Sequence, residues 1–425
     1  MSLPHSLATD TFQPTTLAIG RSTVDIVWSC LALVFSCTWV AIHPNIPPRR
    51  IRCSRWKMLR RRLLLMLWTV LVPELVVMWA AHQWFDANQI VRARAAGLDA
   101  TGTRDMAQRH EAGKPYDGNE GEDCSSVWTR IHGFFVLMGG CSVLVDGQPV
   151  RPHVVQSLIE DTSLNHRSHT PVIAWPVLCA EEIEDKSKGD ALAKLLALAQ
   201  VAWFVIQLGA RFVSGLAFSE LEVMTLAYAS ISALLYFFWW DKPLDVHHPI
   251  LTEERDAPAS APTFIWRSAL TVSALFYAHA WIIEEPADPD NVDPFVKIHF
   301  TPLATRSDKM SLAMCGFSSS LFGAIHCIAW HVPFPSAAEA RIWRASSVLV
   351  TAIPLAWFLL SCMTMFIVER LQYYPAYPMR ILAAVGLCIY FMARVLLIVE
   401  AFVLLRSLPP DAYQVIDWTA YIPHI

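Results

Sequence analysis

The chain has 425 residues, of which 54% are hydrophobic and only 16% charged, against roughly a quarter charged in soluble domains. A water-soluble fold has no place for that much apolar surface, so a multi-pass integral membrane protein with the lipid bilayer as its first partner is expected. The net charge of −4 offers no broad basic face for a phosphate backbone, which excludes nucleic acid as a partner.

A helix crosses the bilayer core with about 20 mostly apolar residues, and eight stretches meet that length. In chain order they run from Val24 to Ile42, Leu63 to Ala81, Ala191 to Val213, Leu221 to Trp240, Ile265 to Ile283, Ser311 to Trp330, Ala345 to Val368 and Ile381 to Leu405. No basic leader or small-residue cleavage site precedes the first run, which reads as a retained span. Between the first two spans, residues 49–62 carry eight Arg and Lys, a density that marks a cytoplasmic loop. The connection 83–190 is long, and 92–123 within it is polar, charged and loosely patterned. Residues 131–145 are apolar but too short to cross, and suit an interfacial or re-entrant segment. Strict alternation puts Lys186, Lys188 and Lys194 on the lumenal side, against the charge rule, unless an extra crossing lies near Ile131. The expected fold is all-α: one membrane domain over 1–425, a bundle of about eight spans with an extramembrane loop between the second and third.

Ionisable side chains at membrane depth are costly and mark either a structural pair or a functional path. Glu74 lies 12 residues past Arg62, or about 18 Å along a helix, with Pro73 able to open a kink beside it. A carboxyl desolvated there is expected to keep its proton, as a general acid must. Asp25 stands near Arg21 at the edge of the first span, where an ion pair competes with a site role. Glu220 and Glu222 open the fourth span close to Arg211. They read as an Arg/Glu clamp between helices, or as an acid pair with one proton. His132, His279 and His326 have no metal-ligand spacing and read as core histidines, while Arg394 and Glu400, six apart, are expected to find partners on neighbouring helices. The ten cysteines are scattered and read as small buried hydrophobes. Seventeen tryptophans fit interfacial belts. Trp39, Trp68, Trp203 and Tyr236 are alternatively the lining of a greasy pocket whose rings shield a carbocation. No Walker, GxSxG, DDxxD or Rossmann pattern occurs, so no metal or organic cofactor is expected.

Six motifs between Asp25 and Val246 carry a resemblance: DIVWSCLALVFSCTWVAIHPNIP from Asp25, VPELVVMWAAHQW around Glu74, HGFFVLMGG from His132, DKSKGDALAK from Asp185, SELEVMTLAYA around Glu220 and Glu222, and WWDKPLDV from Trp239. In these the chain resembles a large family of fungal membrane proteins, and within it the integral membrane terpene cyclases of meroterpenoid pathways, of the ascofuranone-cyclase type. The resemblance implies proton-initiated cyclisation of an isoprenoid's epoxide or terminal alkene, without cofactor, in the endoplasmic reticulum and beside other enzymes of the pathway. Glu74 would be the acid, and Asp25, Glu220 and Glu222 would assist or receive the proton. Arg211 and His132, with Trp39, Trp68, Trp203 and Tyr236, would hold the hydrophobic isoprenoid substrate. A transporter and a non-catalytic membrane scaffold remain as alternative readings.

Overall fold

A computed structural model describes residues 20–47, 49–112, 128–145, 148–150, 178–187, 190–252, 306–371 and 376–416. Among them six helices are long and apolar enough to cross a membrane. The candidate span Ile265 to Ile283 lies outside the described residues.

Helix α1 (Thr23–Ala41) starts at a capping box in which Ser22 and Asp25 satisfy each other's backbone N–H groups. After a single turn, α2 (Arg49–Arg52), comes α3 (Arg55–Leu71), and at Val72 the chain breaks by 110° into α4 (Pro73–Ala112). The cause is local, because a proline cannot donate the helical hydrogen bond and pushes its predecessor out of the α region; Val72 sits at φ −144°, ψ 61°. The stretch Leu63 to Ala81 is therefore not one straight span. Arg61 near the start of α3 and Gln83 in α4 both bind Asn45, through its carbonyl at 3.1 Å and its side-chain oxygen at 3.1 Å. Ten residues in and ten residues out, about 15 Å each way, make α3 and α4 a hairpin whose two arms return to one face.

The remaining long helices are α7 (Asp190–Val213), α8 (Glu220–Phe238), α9 (Arg306–His326), α10 (Ala337–Leu371) and α11 (Ala376–Val403), preceded by the short α5 (Arg130–Leu137) and α6 (Ala180–Lys186). Helix α8 is the axis of the bundle: 72% of it is buried, against 17% for α7, and α1, α4, α9 and α11 pack around it. The apolar segment 131–145 divides in two rather than forming one re-entrant helix. Helix α5 ends at Gly139, whose φ of 81° favours glycine, and β1 (Cys141–Val145) follows. Strand β1 pairs antiparallel with β2 (Gln148–Val150) and parallel with β3 (Ile250–Thr252), so the helical bundle carries one small sheet.

Hydrogen bonds sort the connections into two faces. One face gathers the arginine-rich loop, Gln83, α5, α6, the start of α7 and the segment after α8. Its ties include Arg62–Asp245 at 3.0 Å, Arg130–Asp241 at 2.7 Å, Lys194 to the Trp240 carbonyl at 3.0 Å and Ile46 N to the Met138 carbonyl at 3.0 Å. The other face joins the start of α1, the α7–α8 turn and the short 3₁₀ turns Leu404–Ser407 and Pro410–Tyr413; there Arg21 N bonds the Tyr413 carbonyl at 2.9 Å. Cys179, on the first face, is disulfide-bonded, which departs from the reading of every cysteine as a small buried hydrophobe. That bond and the arginine-rich loop argue for opposite compartments, so the faces are named by charge alone, as basic and opposite.

Candidate functional site

The hairpin tip reaches mid-height in the bundle. Tyr228, near the middle of α8, donates to the Val70 carbonyl at 2.6 Å. One turn of α11 supplies Tyr390 and Arg394, four residues apart and so on one helix face. Tyr390 donates to Glu74 Oε1 at 2.5 Å, and Arg394 Nη1 donates to Glu74 Oε2 at 3.2 Å and to the Tyr390 hydroxyl at 2.8 Å. Arg394 lies over Phe322, its Cζ 3.9 Å from the ring centroid. His326 packs against the same ring at 4.7 Å and commits Nδ1 to the Phe322 carbonyl. Glu74 is 3% exposed and Arg394 1%, where the lone charge of either would be severely penalised and the pair much less so.

Glu74 is thus at the depth that the sequence led us to expect, and its two oxygens accept from Tyr390 and Arg394, so neither is left open. Arg394, which sequence spacing assigned to an unknown neighbour, is its partner. The signal that would have found the cluster is the four-residue spacing of Tyr390 and Arg394 within an apolar helix. Comparing Arg394 with Glu400 hid it.

The other acids separate. Asp25 is exposed and caps α1 instead of pairing with Arg21. Arg21 grips Glu222 with both nitrogens, at 2.5 and 3.1 Å, and Glu222 also caps α8 through Ser219. The clamp expected of Arg211 therefore belongs to Arg21. Arg211 instead binds the carbonyls of Ala217, Asp411, Ala412 and Gln414, tying the α7–α8 turn to the C-terminal 3₁₀ turn. Glu220 is 3% exposed and has no cationic partner among the described residues; it feels the charges of Glu222 and of Glu400 on α11. Glu400 is also buried, with Oε2 unpartnered among the described residues.

The remaining candidates do not converge. His132 is buried on α5 at the basic face, its Nδ1 accepting from the Thr129 N–H at 3.0 Å, so it caps a helix away from the tip. Burial pulls its pKa below the usual histidine value. Trp39 carries the Arg62 guanidinium at 4.2 Å, Trp203 faces outward at 51% exposure, Trp68 is half-buried on α3, and Tyr236 is buried in α8. An apolar groove of 510 Å³ lies between α10 and α11, lined by Leu349, Ile389, Met392 and Leu396 among others. His279 lies outside the described residues.

Lys242 was not foreseen. It is 1% exposed on the basic face, with Nζ donating to the His43 carbonyl at 2.5 Å and to the side-chain oxygens of Asn45 and Gln83, both at 2.8 Å. The Trp239 and Trp79 rings flank it at 4.7 and 5.0 Å. Burial and the Arg61 guanidinium push the amine well below the usual lysine range, while three acceptors match the three N–H bonds of an ammonium and hold its proton. It locks three connections together.

Fold and site together define an α-helical membrane protein with a polar cluster at the tip of a broken helix pair. The chain belongs to a family of unknown function, DUF8562, which matches residues 3–271 and 303–425. The match continues past Val246, where the sequence motifs stop, through α9, α10 and α11, which supply Tyr390 and Arg394. No curated protein and no solved structure matches the chain.

Proposed function

We propose that this protein is a membrane-bound terpene cyclase of secondary metabolism, in the endoplasmic reticulum, closing rings on the prenyl chain of a meroterpenoid or other isoprenoid. The observation that carries the reading is Glu220, a carboxyl at 3% exposure without a balancing cation among the described residues. Such a group is accommodated most cheaply with its proton on, and a protonated carboxyl in an apolar setting is what initiation of a cation cascade requires. Glu220 gives its proton to the epoxide oxygen or to the terminal alkene carbon. The chain's π electrons then form the ring bond. A substrate hydroxyl captures the cation and releases a proton, or a carbon–hydrogen bond gives up its proton to the Glu220 carboxylate. Substrate and product are isomers, and no redox partner is involved. Initiation passes from Glu74, committed to Arg394, to Glu220, with Glu400 as its acidic neighbour. The Glu74–Tyr390–Arg394 cluster lies about 12 Å away, eight residues along α8 from Glu220 to Tyr228, and serves as a polar anchor.

A non-catalytic scaffold is the second reading, favoured by the arginine partners of Glu74 and Glu222, which are what helix pairing alone would ask for. Microsomes bearing the protein and fed linear or terminally epoxidised farnesyl phenols separate the two. The expected result is an isomer of unchanged mass and shifted retention time, lost in Glu220→Gln. No isomer from any of these substrates, with the protein folded, supports the scaffold; an isomer that survives Glu220→Gln refutes the acid assigned.

A further inference from the structure

The guanidinium of Arg394 is used on one side only. Nη1 serves Glu74 and Tyr390 and Cζ lies over the Phe322 ring, but Nε and Nη2 are buried and have no hydrogen-bond partner among the described residues. These two nitrogens form the side-on edge of the guanidinium, the edge that receives both oxygens of a planar group in parallel hydrogen bonds. At 1% exposure bulk water does not reach them, and charged donors left unmade in such a place are costly. The Tyr228 hydroxyl interacts with the guanidinium both through charge and as a side-chain hydrogen-bonding neighbour, but it makes no close bond to Nε or Nη2, and its own proton is given to the Val70 carbonyl.

We propose that the Nε–Nη2 edge of Arg394 is a carboxylate-binding fork, which holds the head of an apolar ligand at the tip of the hairpin. The charge count adds a condition. Glu74 already balances Arg394, so a second carboxylate would leave an uncompensated charge inside the bundle unless a proton comes with it. The ionisable groups around the fork are Glu74 from α4, Tyr228 from α8, Cys315 and His326 from α9, and Tyr390 from α11. Glu74 is the one in hydrogen-bonded contact whose protonation cancels the added charge. Ligand binding therefore takes up one proton. This inference rests on the cyclase reading only in taking the ligand to be the substrate, and binding is measured without turnover so that the two fail separately.

The test uses the full-length protein in nanodiscs, titrated with tritiated farnesoic acid against empty nanodiscs. Saturable binding is expected, displaced at least about tenfold more weakly by methyl farnesoate than by unlabelled acid, because the ester lacks the second anionic oxygen. Affinity should tighten by about tenfold for each unit of falling pH while the free acid stays ionised. Arg394→Lys keeps the charge opposite Glu74 but removes the fork, and should weaken binding by about tenfold or more. Equal competition by the ester, affinity independent of pH, or no saturable binding beyond empty nanodiscs would each overturn the proposal, the last meaning that the edge is merely hydrated. The ester comparison needs only wild type, so a misfolded variant leaves the test intact. Acid binding without any cyclisation sinks the cyclase reading and keeps the fork; cyclisation without acid binding does the reverse.

Discussion

Lys242→Met removes the ammonium from the basic face while keeping most of its apolar stem. Asn45 Oδ1 would still accept from Gln83 Nε2 at 3.1 Å, and Gln83 Oε1 from Trp239 Nε1 at 3.0 Å. The His43 carbonyl would lose the ammonium as a donor. That acceptor costs about 1–3 kcal/mol and the two lost cation–ring contacts about 0.5–2 each, and the relief of no longer burying an amine offsets part, for a net loss of about 2–4 kcal/mol. Equilibrium unfolding in mixed SDS and dodecyl maltoside, followed by tryptophan fluorescence, would read it. A loss under about 0.5 kcal/mol, the range of ordinary surface changes, would mean that the ammonium does not hold these connections together.

Three other perturbations have calculable outcomes. The lowered pKa of His132 means that its stabilising contribution is complete above the unfolded value and is lost as pH falls through it. Unfolding free energy should drop on acidification below about pH 6.5, by at most about 1.4 kcal/mol per unit, lowering the thermal midpoint, and His132→Asn should flatten that slope. In Gly133→Ala the new Cβ would stand 2.5 Å from the Ala87 carbonyl oxygen and 3.0 Å from its Cα, so α5 must lift from α4 at about 1–3 kcal/mol; an unchanged midpoint refutes that close approach. Arg21→Met leaves Glu222 buried without its cation and should cost about 3 kcal/mol, part of it recovered in the double variant with Glu222→Gln. Strict additivity in that cycle would show that the pair does not interact.

Span length and the depth of Glu74 were legible because both depend on local apolar runs and helical rise. The partners of Glu74 were not, since Tyr390 is 316 residues away in the chain and nothing local announces which helices will touch. Leu63 to Ala81 looked like a single crossing because its composition is unbroken: Pro73 announces a kink, but the size of the bend is set by what the tip can bind. Tyr228 holding Val70, and Arg394 holding Glu74, supply that tertiary preference. The Asp25–Arg21 pair was misread for a similar reason. Sequence proximity favoured it, yet Glu222 offers Arg21 two acceptors in a buried setting, and Asp25 is better used on the free N–H groups of its own helix.

The conflict over Lys186 and Lys194 was itself a readable sign of the hairpin. If α3 and α4 made one crossing, the connection from Gln83 to Asp190 would start on the face opposite the arginine-rich loop, and the lysines before α7 would need another crossing to return. The hairpin removes the need. Gln83 returns to Asn45, Arg130 to Asp241 and Lys194 to Trp240, all at the basic face. The crossing helices among the described residues are then α1, α7, α8, α9, α10 and α11. The hydrogen bonds of Arg21 to the Ala412 and Tyr413 carbonyls put the start of α1 and the end of α11 on the same side, as the even number of crossings among the described helices does.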